Sequence, residues 1–233
     1  MPALRRCRGT ADEYAAIAAV HRRAAEHDGR DLHSVLESLP GPADIAALAG
    51  LDQRVVELDG RVVGHVHLTS WTEEDGTRVF LHRGRLHPDF RDRGLGTTML
   101  AWAERRARAK AVDLPAARTT VLGANASRAE PAATALLLDH GYAPVLRLGE
   151  YRRPANAALP EAPSTDVEIR PTTDPVDHGR LWDLVELGYH GRFAVRVGTP
   201  AGRQRFIDRA AAMTWLAAWD GPTLVGCAGL APS

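Results

Sequence analysis

A chain of 233 residues, 45% hydrophobic and 25% charged, has the make-up of a globular protein, long for one average domain and short for two full ones. Its 29 Lys and Arg balance 29 Asp and Glu, so no net field draws it to a polyanion and no nucleic-acid partner is expected. No run approaches the ~20 apolar residues of a membrane span and no secretory pattern opens the chain, so no membrane role and a cytoplasmic location are expected.

In chain order, Leu4–Arg8 reads as a short first strand, and Thr10 or Asp12 can cap a helix carrying Tyr14, Ile17 and Val20 at helical spacing. Helical patches follow at Asp31–Leu39, stopped by Pro40-Gly41-Pro42, and at Ala43–Ala49. Arg54–Leu58, Asp59-Gly60 and Arg61–Leu68 form a hairpin signal, because Asp-Gly suits a tight turn and β-branched residues flank it. A polar turn over Thr72–Thr77 leads to a strand over Arg78–Leu86, then a helix over Thr97–Lys110. Ala117–Leu122 is the next strand and Asn125–Asp139 the next helix, ended by Gly141, with a final strand or two in Tyr142–Tyr151. The order is β-α-α-β-β-β-α-β-α-β. Cys7 and Cys227 lie far apart in apolar surroundings and are expected as buried thiols. The basic cluster Arg105–Lys110 reads as a solvated helix face.

Between the strand ending at Leu86 and the next helix lies His87-Pro88-Asp89-Phe90-Arg91-Asp92-Arg93-Gly94-Leu95-Gly96-Thr97. A strand, a basic glycine turn and a helix start make an anion site, since the first N–H groups of a helix lack intrahelical acceptors and the dipole adds positive charge. Gly94 and Gly96 allow close approach to the main chain, and Arg91 and Arg93 supply full charges. No Gly-Lys-Ser/Thr follows, which excludes a Walker loop, and the third glycine of a dinucleotide fingerprint is absent.

Arg91-x-x-Gly94-x-Gly96 resembles motif A of the GNAT acetyltransferases, and Asn125, Ala133, Leu136 and Gly141-Tyr142 resemble a second segment of that family. The resemblance implies an α/β (α+β) GNAT fold, a mixed central sheet flanked by helices, over residues 1–153. It implies an acyl-CoA-dependent N-acyltransferase, with acetyl-CoA as the donor, a small-molecule or peptide amine as acceptor, direct attack and no metal. Main-chain groups of Gly84–Leu86 would hold the acyl group. Leu86, His87, Arg91, Asp92, Arg93, Gly94, Leu95, Gly96 and Thr97 would form the pyrophosphate turn, with Asn125 along the pantetheine. Two usual participants are missing: the family's glutamate aligns with Phe80 and its tyrosine with Leu137, while Tyr142 takes a packing position. These gaps favour an alternative, a catalytically weak CoA-binding regulatory or structural module.

His82 is the candidate base, because it shares a strand face with Phe80 and titrates near neutrality; a packed or solvated strand histidine is the other reading. His65 and His67 share a face of the preceding strand and reach the same cleft or hydrogen-bond within the sheet. No metal site is expected of the three. Glu73 and Glu74 either meet a cationic acceptor or stand in a solvated loop.

After a proline-rich linker at 154–165, the opening pattern begins again over 166–233. Val167–Pro171 parallels the first strand, Asp174–Tyr189 and Pro200–Met213 the helices, and Thr214–Trp219, Asp220-Gly221 and Thr223–Ala228 the hairpin. This resembles the tandem GNAT arrangement of mycothiol synthase with a partial second repeat that carries no motif A. Its last strand edge is expected to be covered, by the first domain, by lost chain or by a second copy in a homodimer. Trp182, Trp215 and Trp219 are expected in a core or an interface. Alanine and arginine in place of lysine point to a GC-rich bacterial genome.

Overall fold

The computed structural model describes residues 3–30, 52–73, 75–147, 165–189 and 200–230, with 154, 156–158 and 161 between them. The chain divides into two compact units, Met1–Arg147 and Leu148–Ser233, taken here one at a time. The helical patches expected at Asp31–Leu39 and Ala43–Ala49 lie outside the described residues, as do Glu74 and the end of the stretch expected as a last strand.

In the first unit the sheet order is β1-β2-β3-β4-β5, formed by Ala3–Arg6, Gln53–Leu58, Arg61–Thr72, Thr77–Leu86 and Thr119–Ala124. The first four strands pair antiparallel and β5 runs parallel to β4, so the central sheet is mixed. Helix α1, Ala11–His27, starts at Thr10, whose hydroxyl accepts the Glu13 N–H at 3.3 Å. The buried Glu13 carboxylate reaches back to the Arg8 and Gly9 N–H groups and takes Arg5 at 2.6 Å. Burial alone would raise its pKa, but these partners hold it below the ordinary value. The β2–β3 turn has positive φ at both Asp59 (50°) and Gly60 (76°), the primed geometry whose twist matches the strands.

Paired residues of antiparallel strands share a face. Val55, His65 and Arg85 therefore lie on one side, with Gln53, His67 and Arg83. Ile17 of α1 packs there against Cys7 and Val55. Val56, Val66, Leu68, Phe80, His82 and Gly84 lie on the other side. Helix α2, Leu95–Val112, covers that side, seating Leu95, Met99, Trp102 and Ala103 on Val56, Val63 and Val66, and Ala107 on Leu68 and Phe80. With both faces covered, β3 is buried continuously from Val63 to Leu68 rather than in alternation.

Three sequence expectations change. Helix α3 spans Pro131–Asp139, not Asn125–Asp139, because proline fixes φ and drives the preceding Glu130 out of the helical region. Residues 142–147 form no strand. The Arg105–Lys110 cluster is not simply solvated: Arg106 and Lys110 both bind Asp52, at 2.7 and 2.6 Å, which ties α2 to the start of β2.

The second unit contains β6, Glu168–Thr172, α4, Pro175–Tyr189, α5, Pro200–Ala210, β7, Thr214–Asp220, and β8, Thr223–Leu230, in sheet order β6-β7-β8. Its core joins Leu181, Ala210 and Trp215 with Phe206, and Trp182 meets the Phe206 ring edge-on. Trp219 is buried as well. The hairpin repeats the irregularity of the first: the register shifts between Val56 and Glu57 ahead of Asp59, and between Ala218 and Trp219 ahead of Gly221. The repeated Asp-Gly pair is offset, however. Asp220 still pairs with Thr223, so Gly221 and Pro222 form the turn, with φ +54° at the glycine. Cys7 is buried and Cys227 half-buried, both as free thiols; burial pushes the Cys7 pKa up to about 12.

Candidate active site

The site opens where β4 outruns β5. Their pairing ends at His82 with Ala124, while β4 continues to Leu86. Main-chain groups of Arg83–Leu86 thus have no β5 partner among the described residues. A cavity of about 520 Å³ fills this split, and its walls come from both faces of the sheet: Arg85, His27 and Asp28 from the α1 side, Val66, Met99 and Leu100 from the α2 side, and Asn125, Glu130 and Leu136 beyond β5.

One wall is the turn that precedes α2. After a 3₁₀ turn at Pro88–Phe90, Asp92 (φ 59°) and Gly94 (φ 71°) adopt left-handed backbone. Gly94 is the N-cap and offers no side-chain cap bond. The N–H groups of Leu95, Gly96 and Thr97 therefore lack helical acceptors and carry the positive end of the helix dipole. At Gly96 a Cβ would sit 3.3 Å from Leu136 Cδ2, so a larger residue would crowd α3 and hide those donors.

Of the residues expected at the site, Leu86, Arg91, Asp92, Gly94, Gly96, Thr97, Asn125 and His82 line the cavity. Leu95 points instead into the core. His87 accepts the Asp89 N–H at 3.3 Å. Arg93 donates to the Asp89 carbonyl at 2.9 Å and lies over the Phe90 ring. Arg91 is already engaged: its two terminal nitrogens donate to both Asp28 carboxylate oxygens at 2.6 and 2.8 Å, and that contact raises its pKa.

The histidines separate. Leu68 pairs with His82, so His82 is on the α2 face, whereas His65 and His67 are on the α1 face; the alternation of β-strands forbids one shared cleft. Among the described residues no group of three His, Cys, Asp or Glu side chains is placed to hold a metal ion. His65 bridges His21 and Gln53 at 3.2 Å each and lies against His67, with ring centroids 5.5 Å apart. Burial pulls the pKa of His65 down to about 4 and that of His67 to about 3. His82 meets the Tyr142 ring edge-on at 5.8 Å, and its Nε2 has no hydrogen-bond partner among the described residues. Burial lowers its pKa to about 4, so it is neutral at pH 7. Glu73 accepts from the Trp71 indole at 2.6 Å, at the end of β4 remote from the cavity.

Asp28, Arg85 and Glu130 are wall residues that sequence reasoning passes over. The only local signal was Glu130 standing before a helix-starting proline; the other two are single charges whose place depends on the sheet.

Comparisons with known proteins agree with this fold. The profile described as "Acetyltransferase (GNAT) family" matches residues 26–128, which contain β2–β5, the glycine turn and α2. A mycothiol acetyltransferase of Salinispora arenicola is 33% identical over 172 residues, 70% of this chain and 49% of its own. That of Salinispora tropica is 34% identical over 159 residues, 67% of this chain and 46% of its own. The chain thus spans about half the length of these relatives. A GCN5-related N-acetyltransferase from Sphaerobacter thermophilus superposes with a TM-score of 0.64 at 20% identity, over 97% of this chain and 70% of that one, a likeness of fold. No helix among the described residues is long and apolar enough to cross a membrane. By its family segment, its relatives and its sheet, the chain belongs to the GNAT family of acetyltransferases.

Proposed function

We propose that this chain transfers an acyl group, acetyl by default, from acyl-CoA to the primary amine of a small molecule or peptide by direct attack. The observation that carries the reading is the uncapped start of α2 opening, through the glycine turn, into a cavity that passes through the β4–β5 split. The N–H groups of Leu95, Gly96 and Thr97 suit a pyrophosphate. The free β4 edge at Gly84–Leu86 suits the amide-bearing pantetheine arm and the thioester, with Asn125 beside them. In the reaction an amine nitrogen bonds the thioester carbon, the C–S bond breaks, the nitrogen loses a proton and the departing sulfur gains one. His82 is assigned as the group that takes the proton, directly or through water, since it is neutral and its Nε2 is unpartnered on the cavity wall. The second unit is read as a duplicate of the opening of the first, supported by the shared hairpin irregularity.

Titration with CoA tests the donor site. Gly96→Val should weaken binding by about tenfold or more while the thermal unfolding curve keeps its shape; unchanged affinity in a folded variant refutes the assigned turn. His82→Ala should lower kcat by about a hundredfold with the CoA affinity intact. An unchanged rate would make His82 a packing residue. CoA binding without turnover would favour the non-catalytic module, a reading supported by Phe80 and Leu137 standing where the family has its glutamate and tyrosine.

A further inference from the structure

On the α1 side of the cavity, Arg85 and Arg91 line the wall with Asp28, Asp92 and Glu130, and Arg83 and Arg30 lie beside it. Arg83 and Arg85 flank Gly84 on β4 and stand opposite His67 and His65; Arg30 follows the end of α1, and Arg91 closes the set. Three of these guanidiniums are answered by carboxylates: Asp28 and Asp92 act on Arg91, and Glu130 on Arg30 and Arg85. Asp28 is held by both arms of Arg91, and Glu130 lies 3.1 Å from Arg30 and 3.6 Å from Arg85. The side chains of Asp28 and Glu130 are only 5% and 7% exposed, so these pairs are committed. Arg83 is left over. It is half-buried, forms no hydrogen bond or ion pair among the described residues, and has a pKa lowered by burial. The neighbouring histidines add no negative charge, and their depressed pKa values keep them neutral at pH 7. A partly desolvated guanidinium without a counter-charge is costly unless an oxyanion arrives to meet it.

We propose that the acceptor is an amine that also carries an oxyanion, a carboxylate or a phosphate ester, and that Arg83, with Arg85 beside it, holds that oxyanion while the amine faces Gly84. The inference rests on the transferase reading and adds the chemical class of acceptor to it. Arg83 acts here as a specificity-determining residue. Its planar fork matches an oxyanion, and alternate positions on one strand, roughly 7 Å apart, set two such forks side by side. A polycationic acceptor would meet the like charge of Arg83.

The test pairs amines that differ in the anion: phosphoethanolamine against ethanolamine, and 4-aminobutyrate against butylamine, with spermidine as the polycation. Thiol release from acetyl-CoA by the whole chain is the readout. For at least one pair kcat/KM is expected about tenfold or more higher for the anionic member, and the pair that responds names the oxyanion. Arg83→Ala should erase this preference through KM, Arg83→Lys should restore part of it, and neither should change the rate with the neutral partner or the affinity for CoA. Equal rates within both pairs, or a preference for spermidine, overturn the proposal. So does weakened CoA binding in Arg83→Ala, which would give the charge to the donor. If CoA binds but no amine turns over, titration of the same amines onto the CoA-loaded protein decides, and no anion preference there overturns it too. If CoA itself fails to bind, the transferase reading falls first and this proposal with it.

Discussion

On the α2 face of the first sheet, Val56, Val66, Leu68 and Phe80 meet Leu95, Met99, Trp102 and Ala107. One position along the same strands, the α1 face presents Gln53, His65, His67, Arg83 and Arg85. Strand alternation lets a single set of strands build an apolar support and a polar, charged surface back to back. The apolar face positions the helix whose uncapped start lines the cavity. The polar face is buried at considerable electrostatic cost, with His65 0% and His67 1% exposed. A fold needing only stability would fill such positions with hydrocarbon. The contrast teaches that one set of strands can carry a supporting face and a polar face side by side, and the proposed acceptor assignment makes the α1 face the selecting one.

The largest break of this contrast is on the apolar side. Phe80, fully buried between Leu68 and Ala107, should cost about 3–5 kcal/mol when replaced by Ala, read as a shift in the urea midpoint. A cost below about 1 kcal/mol would show that α2 is not anchored there. On the polar side the effect is pH-dependent. His65 and His67 have folded pKa values of about 4 and about 3 against 6.5 unfolded. Below pH 6.5 the unfolded chain therefore binds more protons, so their contribution is complete above pH 6.5 and is lost as the pH falls toward 4. At ~1.4 kcal/mol per pKa unit the His65 shift alone is on the order of 3 kcal/mol. Denaturation from pH 7.5 to 5 should show roughly 2 kcal/mol of loss per histidine, and His67→Leu should flatten it; an acid limb of the same slope would place the sensitivity elsewhere. The smallest effect sharpens the comparison as a control. Thr10→Ala removes the α1 cap and should cost about 1 kcal/mol, with CoA affinity unchanged by titration.

Much of this was legible beforehand because the signals were local. The strand, glycine turn and helix start around Arg91–Thr97 are encoded by neighbours in sequence, as is the Asp59-Gly60 turn. Errors arose where distant groups decided. Arg106 and Lys110 looked solvated because Asp52, their partner, lies more than fifty residues away. The pairing of Arg91 with Asp28 was hidden for the same reason, since nothing near Arg91 in sequence announces it. The overlong reading of α3 is different: Pro131 was visible, and the apolar run beyond it outweighed a boundary that proline chemistry marks.

By itself the chain's order of residues determined most of the elements, the glycine turn before α2 and the family, since backbone preference, periodicity and glycine placement act over a few neighbouring positions. Only the tertiary structure decided which histidines share a surface and which arginines are already paired. It also decided that β4 outruns β5 to open a cavity. Those outcomes follow from strand register and from ion pairs between segments far apart along the chain, and no local pattern carries that information.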